Sequence, residues 1–485
     1  MSSRKLGFSF VVDKDPILAY QGWHLAHSII EGLSVRPDYI FVQCTNAVDP
    51  LTRMKFEAIG CRTTEIERFG DGKYCNKIAQ WNDALEGAEF DHFIFLDTDT
   101  IFVSNSLCEL RSNAICAKVV DLANPPIAAL EEIMRAAGFG ALPAKRPVEA
   151  NGEETYYGNS NGGMLSVPRE FARVLFENWR RWALWLLDNL EPLRRLDKQG
   201  HVDQVSFCMA VHKTKLPFQY VSSNLNYFLH FAGVHSDYDS DKPISLLHYH
   251  NVSINALGSL DPPGAVTAAE REATRRANVQ IARHFDNKLF WEMRYAHFLD
   301  RGSGVGSRGD NLEYKRRLLR ACGAERAGSV LDVGCGDLEV VKALSLRNYV
   351  GIDQSATILE LAKLARPDWT FLQAPCPQAR ASELVLCFEV LIHQKSASTY
   401  HALIGYLAEK TERVLLVSGY ETDTEAIRSN PMLSFHEPLS SSLKRTGKFE
   451  SIEIVGRHTD VTIFRCVARA SEFAHKLRRW LRAST

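Results

Sequence analysis

The feature that most constrains this chain is an apolar segment from Phe93 to Phe102 that is interrupted by two aspartates, Asp97 and Asp99. The apolar run predicts a buried strand, and the carboxylates fall where that strand ends. Hard cations such as Mg²⁺ take oxygen ligands, commonly one or two carboxylates together with substrate phosphates. We therefore expect a divalent cation beside a diphosphate at this sheet edge. The alternative is that both aspartates cap a strand-to-helix turn.

Three other Asp-x-Asp triplets occur in the chain, starting at Asp13, Asp237 and Asp239. All three lie in polar sequence that is typical of turns, where Asp side chains usually bond to nearby backbone. Only the triplet at Asp97 follows a strongly apolar strand. The triplet alone is a weak signal, and its strand context is what makes it a candidate site.

Composition limits the classes of protein that the chain can belong to. A length of 485 residues favours two or three domains. A formal charge of −1 argues against a nucleic-acid-binding surface, which would need a basic face. The 11 cysteines form no C-x-x-C pair, so we expect reduced thiols in a cytoplasmic protein without a zinc or disulfide framework.

Membrane contact is expected only at the end of the chain. The apolar segment near the N-terminus is too short for the hydrophobic region of a signal peptide, and no apolar stretch reaches the length of a membrane span. The tail from Phe473 to Arg482 is basic and amphipathic, so it could touch an anionic surface and make the protein peripheral to the inner membrane. A solvated terminal helix is the favoured alternative. The oligomeric state is not predicted.

The first half of the chain alternates between strand and helix patterns, which predicts a largely parallel α/β sheet. Ligands of such sheets bind beyond the carboxyl ends of the strands, where Asp97 and Asp99 fall. Gly162 and Gly163 precede an apolar strand and suggest a close backbone approach. Predicted strands are 6–12, 39–44, 61–66 and 244–250; predicted helices are 17–33, 51–59, 76–85, 171–190 and 201–211; 138–157 is a predicted loop.

Several of these segments together resemble a GT-A glycosyltransferase of the broad glycogenin-like type. The matching features are the apolar strand that ends in D-x-D, a basic residue on the preceding helix, an Asn-Gly segment after the metal strand, an Asp-Gln pair and a late histidine strand. In this sequence they correspond to Asp97, Asp99, Lys77, Asn161, Gly162, Gly163, Asp203, Gln204 and His248. The resemblance extends over about 250 residues.

The resemblance implies a metal-dependent transfer from a nucleotide-sugar donor. Asp97, Asp99 and His248 would hold Mn²⁺ or Mg²⁺ at the diphosphate, and a histidine ligand favours Mn²⁺. Lys77 would add a positive charge at phosphate. Asp203 would serve as general base in an inverting reaction or position the sugar in a retaining one; its alternative role is a helix N-cap. Strand alternation puts His250 on the same face as His248, which leaves the choice of ligand open.

A second organised segment begins after the turn-forming sequence at Asp261. Asp332, Gly334 and Gly336 follow a predicted strand over 329–333 and precede a predicted helix over 338–346. The glycines allow a tight turn and a close approach to a ligand at a helix start. Asp353 ends the next strand, about twenty residues on, where a ribose diol is bound in such folds. A dinucleotide site would need a third glycine, which is missing.

This pattern resembles a class I S-adenosylmethionine-dependent methyltransferase over roughly 288–468. The resemblance assigns cofactor contacts to the glycine turn, to Asp353, to Gln373 or a neighbouring backbone group, and to Glu389 after the fourth strand. A segment upstream resembles the N-terminal lid of some bacterial methyltransferases and contains Arg294 and Gly304. Motifs of the Asn-Pro-Pro-Tyr type are absent, which favours an oxygen acceptor.

Methylation of a hydroxyl needs a base beside the nucleophile. His393 is the first candidate and His436 the second, and either could instead be a capping or core histidine.

The sequence therefore predicts an α/β protein with two Rossmann-like domains, a GT-A nucleotide-sugar domain over 1–262 and a class I methyltransferase with a seven-stranded sheet over 288–470. A helical connector is expected over 263–287 and a basic helix over 471–485. The leading hypothesis is a bifunctional enzyme that transfers a sugar to a glycan or lipid-linked saccharide and O-methylates a sugar hydroxyl, in bacterial surface polysaccharide synthesis by analogy. The alternative is an active methyltransferase with a non-catalytic GT-A-like binding module.

Overall fold

The structure, a computed structural model, describes residues 5–107, 110, 113–230, 237–264 and 266–469. It divides into two units, Met1–His284 and Phe285–Thr485. The helix that the sequence assigns to a connector belongs to the first unit. The predicted basic helix over 471–485 lies outside the described residues.

The first unit is built on a seven-stranded sheet and a smaller three-stranded sheet. Its strands are β1 Leu6–Val12, β2 Ile40–Thr45, β3 Arg62–Ile66, β4 His92–Leu96, β5 Thr100–Phe102, β6 Ile115–Val119, β7 Lys145–Pro147, β8 Glu154–Tyr156, β9 Ser160–Pro168, β10 Phe218–Tyr220, β11 Tyr227–Phe228 and β12 Leu246–His248. The main sheet has the order β10-β6-β9-β4-β1-β2-β3, and the smaller one β11-β12-β5. In the main sheet only β9 runs antiparallel to its neighbours, so the predicted largely parallel sheet is confirmed.

Local signals explain where several helices of this unit begin. The Asp15 carboxylate accepts from the Ile17 amide at the start of the first helix, and Thr267 and Glu270 form a reciprocal capping box at the start of the last. The helices are α1 Pro16–His27, α2 Pro50–Ala58, α3 Asp83–Glu86, α4 Ile127–Ala136, α5 Arg169–Asp188, α6 Glu191–Arg194, α7 Val202–Thr214 and α8 Ala268–Arg283. The tryptophan-rich face of α5 packs into the apolar core beneath the sheet.

Three predictions for this unit are wrong in detail. The helix expected over 76–85 is a 3₁₀ turn, Tyr74–Gln80, followed by the separate α3, because Asn82 is extended and its side chain caps α3 at Ala84. The loop expected over 138–157 contains the antiparallel ribbon β7–β8. The strand expected through residue 250 ends at His248, since His250 has a φ of +50°.

The second unit has one seven-stranded sheet, as the sequence predicted, and its strand order is β15-β14-β13-β16-β17-β19-β18. Its strands are β13 Val330–Val333, β14 Tyr349–Asp353, β15 Thr370–Gln373, β16 Ser382–Cys387, β17 Thr411–Gly419, β18 Phe449–His458 and β19 Val461–Ala468. The first five are parallel and the last two form an antiparallel pair. The strand order reverses between β13 and β16, which is where such sheets bind ligands.

Helices cover both faces of this sheet. Val330 of β13 packs into the apolar core on one face, and its neighbour Leu331 packs into the core on the other face. The helices are α9 Asn287–His297, α10 Gly309–Ala321, α11 Ala356–Ala365, α12 Ala397–Lys410, α13 Glu425–Arg428 and α14 Leu439–Arg445. The helix expected over 338–346 is absent. Leu338 has a left-handed φ of +60°, and hydrogen-bonded turns follow it. Within the described ranges, no helix is long and apolar enough to cross a membrane.

Candidate functional sites

The two aspartates of the first unit lie in the turn between β4 and β5. The Asp97 amide donates to the Gly163 carbonyl at 3.2 Å, which continues the pairing of β4 with β9. β5 pairs with β12, so that Thr100 lies opposite His248. This pairing brings Asp99 to the late histidine strand: Asp99 Oδ1 lies 3.2 Å from His248 Nε2. The predicted ligands Asp97, Asp99 and His248 therefore come from three adjacent strand ends.

A chain of hydrogen bonds fixes the tautomer of His248. The Gly163 amide donates to Asn161 Oδ1 at 2.8 Å, so that oxygen is an acceptor. It also accepts from Asn226 Nδ2 at 3.1 Å, which leaves Asn226 Oδ1 to accept from His248 Nδ1 at 3.1 Å. In a neutral imidazole the proton is then on Nδ1 and Nε2 carries the lone pair. Nε2 and the Asp99 carboxylate are thus two acceptors facing each other, an arrangement that a cation between them, or a proton on Nε2, stabilises.

His250 extends this cluster. Its ring stacks on that of His248, with centroids 3.9 Å apart and planes 16° apart. Ligand atoms of Asp99, His248 and His250 lie within 4.8 Å of one another, so the three residues could together hold a metal ion. Burial raises the pKa of Asp99, but His248, His250 and Lys77 together outweigh burial and bring that pKa below its ordinary value. The carboxylate is therefore available as a ligand at neutral pH.

Lys77 lies between two carboxylates. Its Nζ is 2.9 Å from both oxygens of Asp97 and 3.2 Å from Asp203 Oδ2. Burial alone would lower the pKa of Lys77, but Asp97 and Asp203 raise it above its ordinary value, so the ammonium stays charged. Asp203 is at the second position of α7, the helix has no side-chain cap from His201, and Asp203 is 3% exposed. Its carboxylate therefore contacts Lys77 and does not act as the N-cap.

Other side chains of the site lie close to Gly162 and Gly163. A Cβ on Gly162 would lie 2.2 Å from Lys77 Nζ, and one on Gly163 would lie 2.3 Å from His248 Nδ1. Beside them is a pocket whose lining includes Lys77, Asp97, Asn161, Asp203 and Gln204. All of the site residues predicted in the first unit thus lie around one cluster or its adjoining pocket. The sequence missed Asn226, because nothing in its neighbours marks it as a partner of His248.

In the second unit the predicted glycine turn follows β13 and contacts the end of β14. Asp353 accepts from the Gly336 amide and from the Ser355 amide, both at 3.0 Å. Gly334 and Gly336 have φ of +79° and +52°, where a side chain is strained. A Cβ on Gly336 would lie 2.3 Å from the Ser303 hydroxyl. The turn is therefore tight and closely covered, as its sequence predicted.

Two buried aspartates flank this turn. Burial raises the pKa of Asp332 to about 7, although the Tyr349 hydroxyl donates to it at 2.7 Å and opposes the rise. Burial likewise raises the pKa of Asp353 to about 6, against the amides that donate to it. Their carboxylates are kept in a poorly solvated environment, and a hydroxyl-bearing ligand would supply Asp353 with further donors.

The segment before the sheet folds over the glycine turn. Asp337 accepts from the Ser303 amide at 2.9 Å and from Arg308 at 2.7 Å. The buried Arg294 guanidinium donates to the Gly302 carbonyl at 2.8 Å and lies near Gly304, whose φ is +92°. Ser303 and Arg308 therefore join the covering segment to Asp337 at the end of the turn, whereas the predicted residue Arg294 bonds within its own segment.

The remaining predicted residues surround the carboxyl end of the sheet. Gln373 pairs with Asp353 across β15 and β14 and is exposed. Glu389 has a left-handed φ of +58° and forms ion pairs with Lys315 at 2.6 Å and His458 at 2.7 Å. Burial raises the pKa of Glu389, but His458 and Lys315 bring it below its ordinary value. The Glu389 carboxylate is therefore ionised.

The two candidate bases have different partners. His393 Nδ1 lies 3.0 Å from the Met432 carbonyl, so it donates and Nε2 keeps the lone pair. Burial lowers the pKa of His393, which keeps the ring neutral. The indole of Trp291 lies edge-on at 5.3 Å. His436 Nε2 instead donates to the Gln394 carbonyl at 2.8 Å. Each histidine thus retains one basic nitrogen.

No protein-family model matches the chain, and no curated protein matches it. Among solved structures it is similar to the galactosyltransferase LgtC in complex with donor and acceptor sugar analogs, at 16% identity over 56% of this chain and 95% of that one, with a TM-score of 0.35. It is also similar to magnesium protoporphyrin IX methyltransferase (ChlM) from Synechocystis PCC 6803 with bound SAM, at 18% identity over 38% of this chain and 98% of that one, with a TM-score of 0.30.

A third similar structure is the N-methyltransferase NodS from Bradyrhizobium japonicum WM9 with bound S-adenosyl-L-homocysteine, at 18% identity over 33% of this chain and 87% of that one, with a TM-score of 0.28.

Proposed function

We propose that the chain is a bifunctional transferase. The first unit transfers a sugar from a nucleotide donor to a glycan or lipid-linked saccharide, and the second uses S-adenosylmethionine to methylate a sugar hydroxyl. The observation that carries the proposal is the apposition of His248 Nε2 and Asp99 Oδ1 at 3.2 Å, beside a pocket lined by Lys77, Asp97 and Asp203. Sequential action of the two units on one bacterial surface polysaccharide fits their fusion.

The donor set fits a divalent cation. Asp97, Asp99 and His248 would hold it, with His250 as a further candidate, and an imidazole ligand favours Mn²⁺ over Mg²⁺. When bound, the cation would neutralise the charge of the diphosphate leaving group. Asn226 fixes the ring of His248 from the opposite side, in the way that outer hydrogen bonds orient metal-binding histidines.

The pocket side chains would position the sugar. Lys77 supplies a positive charge beside Asp97, and its contact with Asp203 holds that carboxylate in place at the pocket wall. Asp203 is then oriented either to accept a proton from the acceptor hydroxyl or to bind a sugar hydroxyl. Asn161 and Gln204 offer neutral hydrogen-bonding groups in the same lining.

The second unit would bind its cofactor around the glycine turn. Gly334 and Gly336 allow close approach of the backbone, and Asp353 would accept hydrogen bonds from a ribose diol. Gln373, paired with Asp353 across the strands, lies where an adenine could be contacted. Arg294 and Gly304 belong to the segment that would cover the cofactor. Asp332 precedes the glycine turn and Glu389 follows β16, and both would lie beside the cofactor.

His393 is the residue that we assign as general base. Its Nδ1 is bound to the Met432 carbonyl, so its Nε2 is the basic atom, and its neutral ring is ready to accept a proton. His436 is the second candidate, through Nδ1. His393→Gln should therefore lower kcat for methyl transfer while the affinity for S-adenosylhomocysteine stays unchanged, whereas a core histidine would affect both through folding.

Metal-dependent hydrolysis of sugar nucleotides tests the first activity without knowledge of the acceptor. The wild type, Asp99→Ala and the control Asp241→Ala are incubated with a panel of nucleotide sugars and Mn²⁺. We expect turnover of at least one donor in the wild type and in the control, and none in Asp99→Ala. Donor binding without turnover or transfer would support the non-catalytic binding module, and neither binding nor turnover would refute the first half of the proposal.

Calorimetry with S-adenosylhomocysteine tests the second activity. We expect binding by the wild type and by the exposed control Asp368→Ala, and a loss of at least tenfold in affinity for Asp353→Ala. The absence of binding by the folded wild type would refute the second half of the proposal, whatever the outcome for sugar nucleotides.

A further inference from the structure

A second group of metal-ligand side chains lies in the first unit and shares no residue with the Asp99 cluster. It consists of His27 at the end of α1, Glu31 in the π-helical turn Ser28–Gly32 that follows, and His284 after α8. One ligand atom from each lies within 4.8 Å of the others. His27 and Glu31 are four residues apart, a spacing that places side chains on one helical face.

The contacts within this group leave Nε2 of His284 without an aligned hydrogen bond. The rings of His27 and His284 stack with centroids 3.9 Å apart and planes 10° apart. His284 Nε2 lies 2.9 Å from Glu31 Oε1, yet the two atoms are not aligned for a hydrogen bond. A cation bound between Glu31 and His284 would use both of these ligand atoms.

A fully buried histidine next to the group is also unsatisfied. His24 is one turn before His27, is 2% exposed, and neither of its ring nitrogens has a hydrogen-bond partner among the described residues. Buried polar groups without partners are uncommon in folded proteins and call for a specific explanation such as an ion or an ordered water. This imidazole is close enough to the rings of His27 and His284 to interact with them electrostatically.

We propose that His27, Glu31 and His284 form a zinc site. Two imidazoles and one carboxylate are a common donor set for Zn²⁺, with water or a further ligand in the fourth position. Such nitrogen-rich sets disfavour Mg²⁺ and Ca²⁺, which require oxygen ligands. The site would serve the stability of the first unit and does not depend on the function proposed for either unit.

The position of the group explains what the ion would do. Arg283 donates to Glu31 at 3.0 Å although the two residues are 252 positions apart, and Trp23 Nε1 donates to the His284 carbonyl at 2.7 Å. These bonds already hold the end of α8 against α1. A cation shared by residues of both segments would close this long loop of the chain, and binding that occurs only in the folded state stabilises that state.

The test is the zinc content of the full-length chain after removal of metals with a chelator, dialysis against ZnCl₂ and elemental analysis. Because the Asp99 cluster can also bind zinc, each variant is made in the wild type and in the Asp99→Ala/His248→Ala background. We expect His284→Ala and His27→Ala to lose one equivalent in both backgrounds. Glu31→Gln, at an exposed position, should weaken that equivalent at least tenfold without unfolding the chain.

Two controls separate a zinc site from a surface ion pair. Arg283→Ala removes the ion pair of Glu31 with Arg283 but no proposed ligand, so it should retain the zinc. His401→Ala removes an exposed histidine that lies 3.6 Å from Glu437, so it should retain the zinc as well. His284→Cys, which replaces one zinc ligand by another, should restore binding that His284→Ala loses.

Thermal unfolding gives a second measurement on the same proteins. Zn²⁺ should raise the Tm of the Asp99→Ala/His248→Ala variant, and the added His284→Ala or Glu31→Gln substitution should remove most of that rise. The proposal is overturned if the Asp99→Ala/His248→Ala chain binds no stoichiometric zinc. It is also overturned if adding Glu31→Gln to that chain leaves zinc binding unchanged, and if His284→Cys binds no more zinc than His284→Ala does.

Discussion

The side chain of Asn226 gives the sharpest test of the candidate metal centre. It is fully buried and joins two elements of the site, accepting from His248 Nδ1 and donating to Asn161 Oδ1, each at 3.1 Å. Asn226→Ala removes both bonds and leaves every proposed metal ligand in the chain. We expect the main effect to be on the orientation and tautomer of the His248 ring.

The magnitude follows from what the substitution leaves unpaired. His248 is 2% exposed, so its Nδ1–H would lose its partner without gaining water, which costs about 1 to 3 kcal/mol of stability. Loss of such an outer hydrogen bond typically weakens metal binding by about 10- to 100-fold, which corresponds to about 1.4 to 2.7 kcal/mol. The expected loss of Mn²⁺ affinity is therefore one to two orders of magnitude.

The assay is a titration of sugar-nucleotide hydrolysis with Mn²⁺, which separates the metal affinity from the rate at saturating metal. Asn224→Ala is a matched control, because Asn224 is also buried but its side-chain amide donates to the carbonyls of Asp239, Lys242 and Pro243. Both variants should lose stability, and only Asn226→Ala should need more Mn²⁺. Equal Mn²⁺ requirements for the two variants, within threefold, would refute the proposed role of the hydrogen-bond chain.

Three further predictions concern single substitutions. Lys77→Met leaves Asp97 and Asp203 as unpaired, largely buried carboxylates, so urea denaturation should show a loss of about 3 to 5 kcal/mol; a loss below 1 kcal/mol would contradict the buried pairing. Gly336→Ala places a Cβ against Ser303 at a φ of +52°, so calorimetry should show at least tenfold weaker binding of S-adenosylhomocysteine. The control Gly405→Ala lies in a helix with open space around its Cβ and should bind S-adenosylhomocysteine as the wild type does. Because burial raises the pKa of Asp332 from 3.8 to about 7, the folded chain retains a proton that the unfolded chain releases near pH 4. The stability of the second unit should then fall as the pH rises from about 4 to 7, and Asp332→Asn should reduce that fall by on the order of 2 to 4 kcal/mol. Hydrogen exchange of peptides from β13 measures this stability at each pH. Identical pH profiles of the wild type and the variant would contradict the raised pKa.

Strand positions near both sites could be predicted from sequence because buried runs bounded by turn residues are local signals. The predicted strand over 6–12 is β1 itself, and the predicted end of β14 at Asp353 is confirmed to within one residue. The carboxylates at the ends of β4 and β14 followed from the same signals. The position of these carboxylates at strand ends depends on local sequence and not on contacts with distant segments.

The features that sequence could not give depend on contacts between distant segments. Asn226 precedes β11 and bonds to Asn161 of β9, 65 positions away and in a different sheet. The break between the 3₁₀ turn and α3 depends on the capping side chain of Asn82, and the absent helix after the glycine turn depends on the left-handed Leu338. Helical periodicity in the sequence carries no information about either backbone conformation.

The central claim is that one polypeptide carries two separate transferase sites. The most direct measurement compares the wild type, Asp99→Ala and Asp353→Ala for both Mn²⁺-dependent turnover of sugar nucleotides and binding of S-adenosylhomocysteine. We expect Asp99→Ala to lose turnover and retain binding, and Asp353→Ala to lose binding and retain turnover. A wild type that lacks either property, or a single substitution that abolishes both in a folded chain, would contradict the claim.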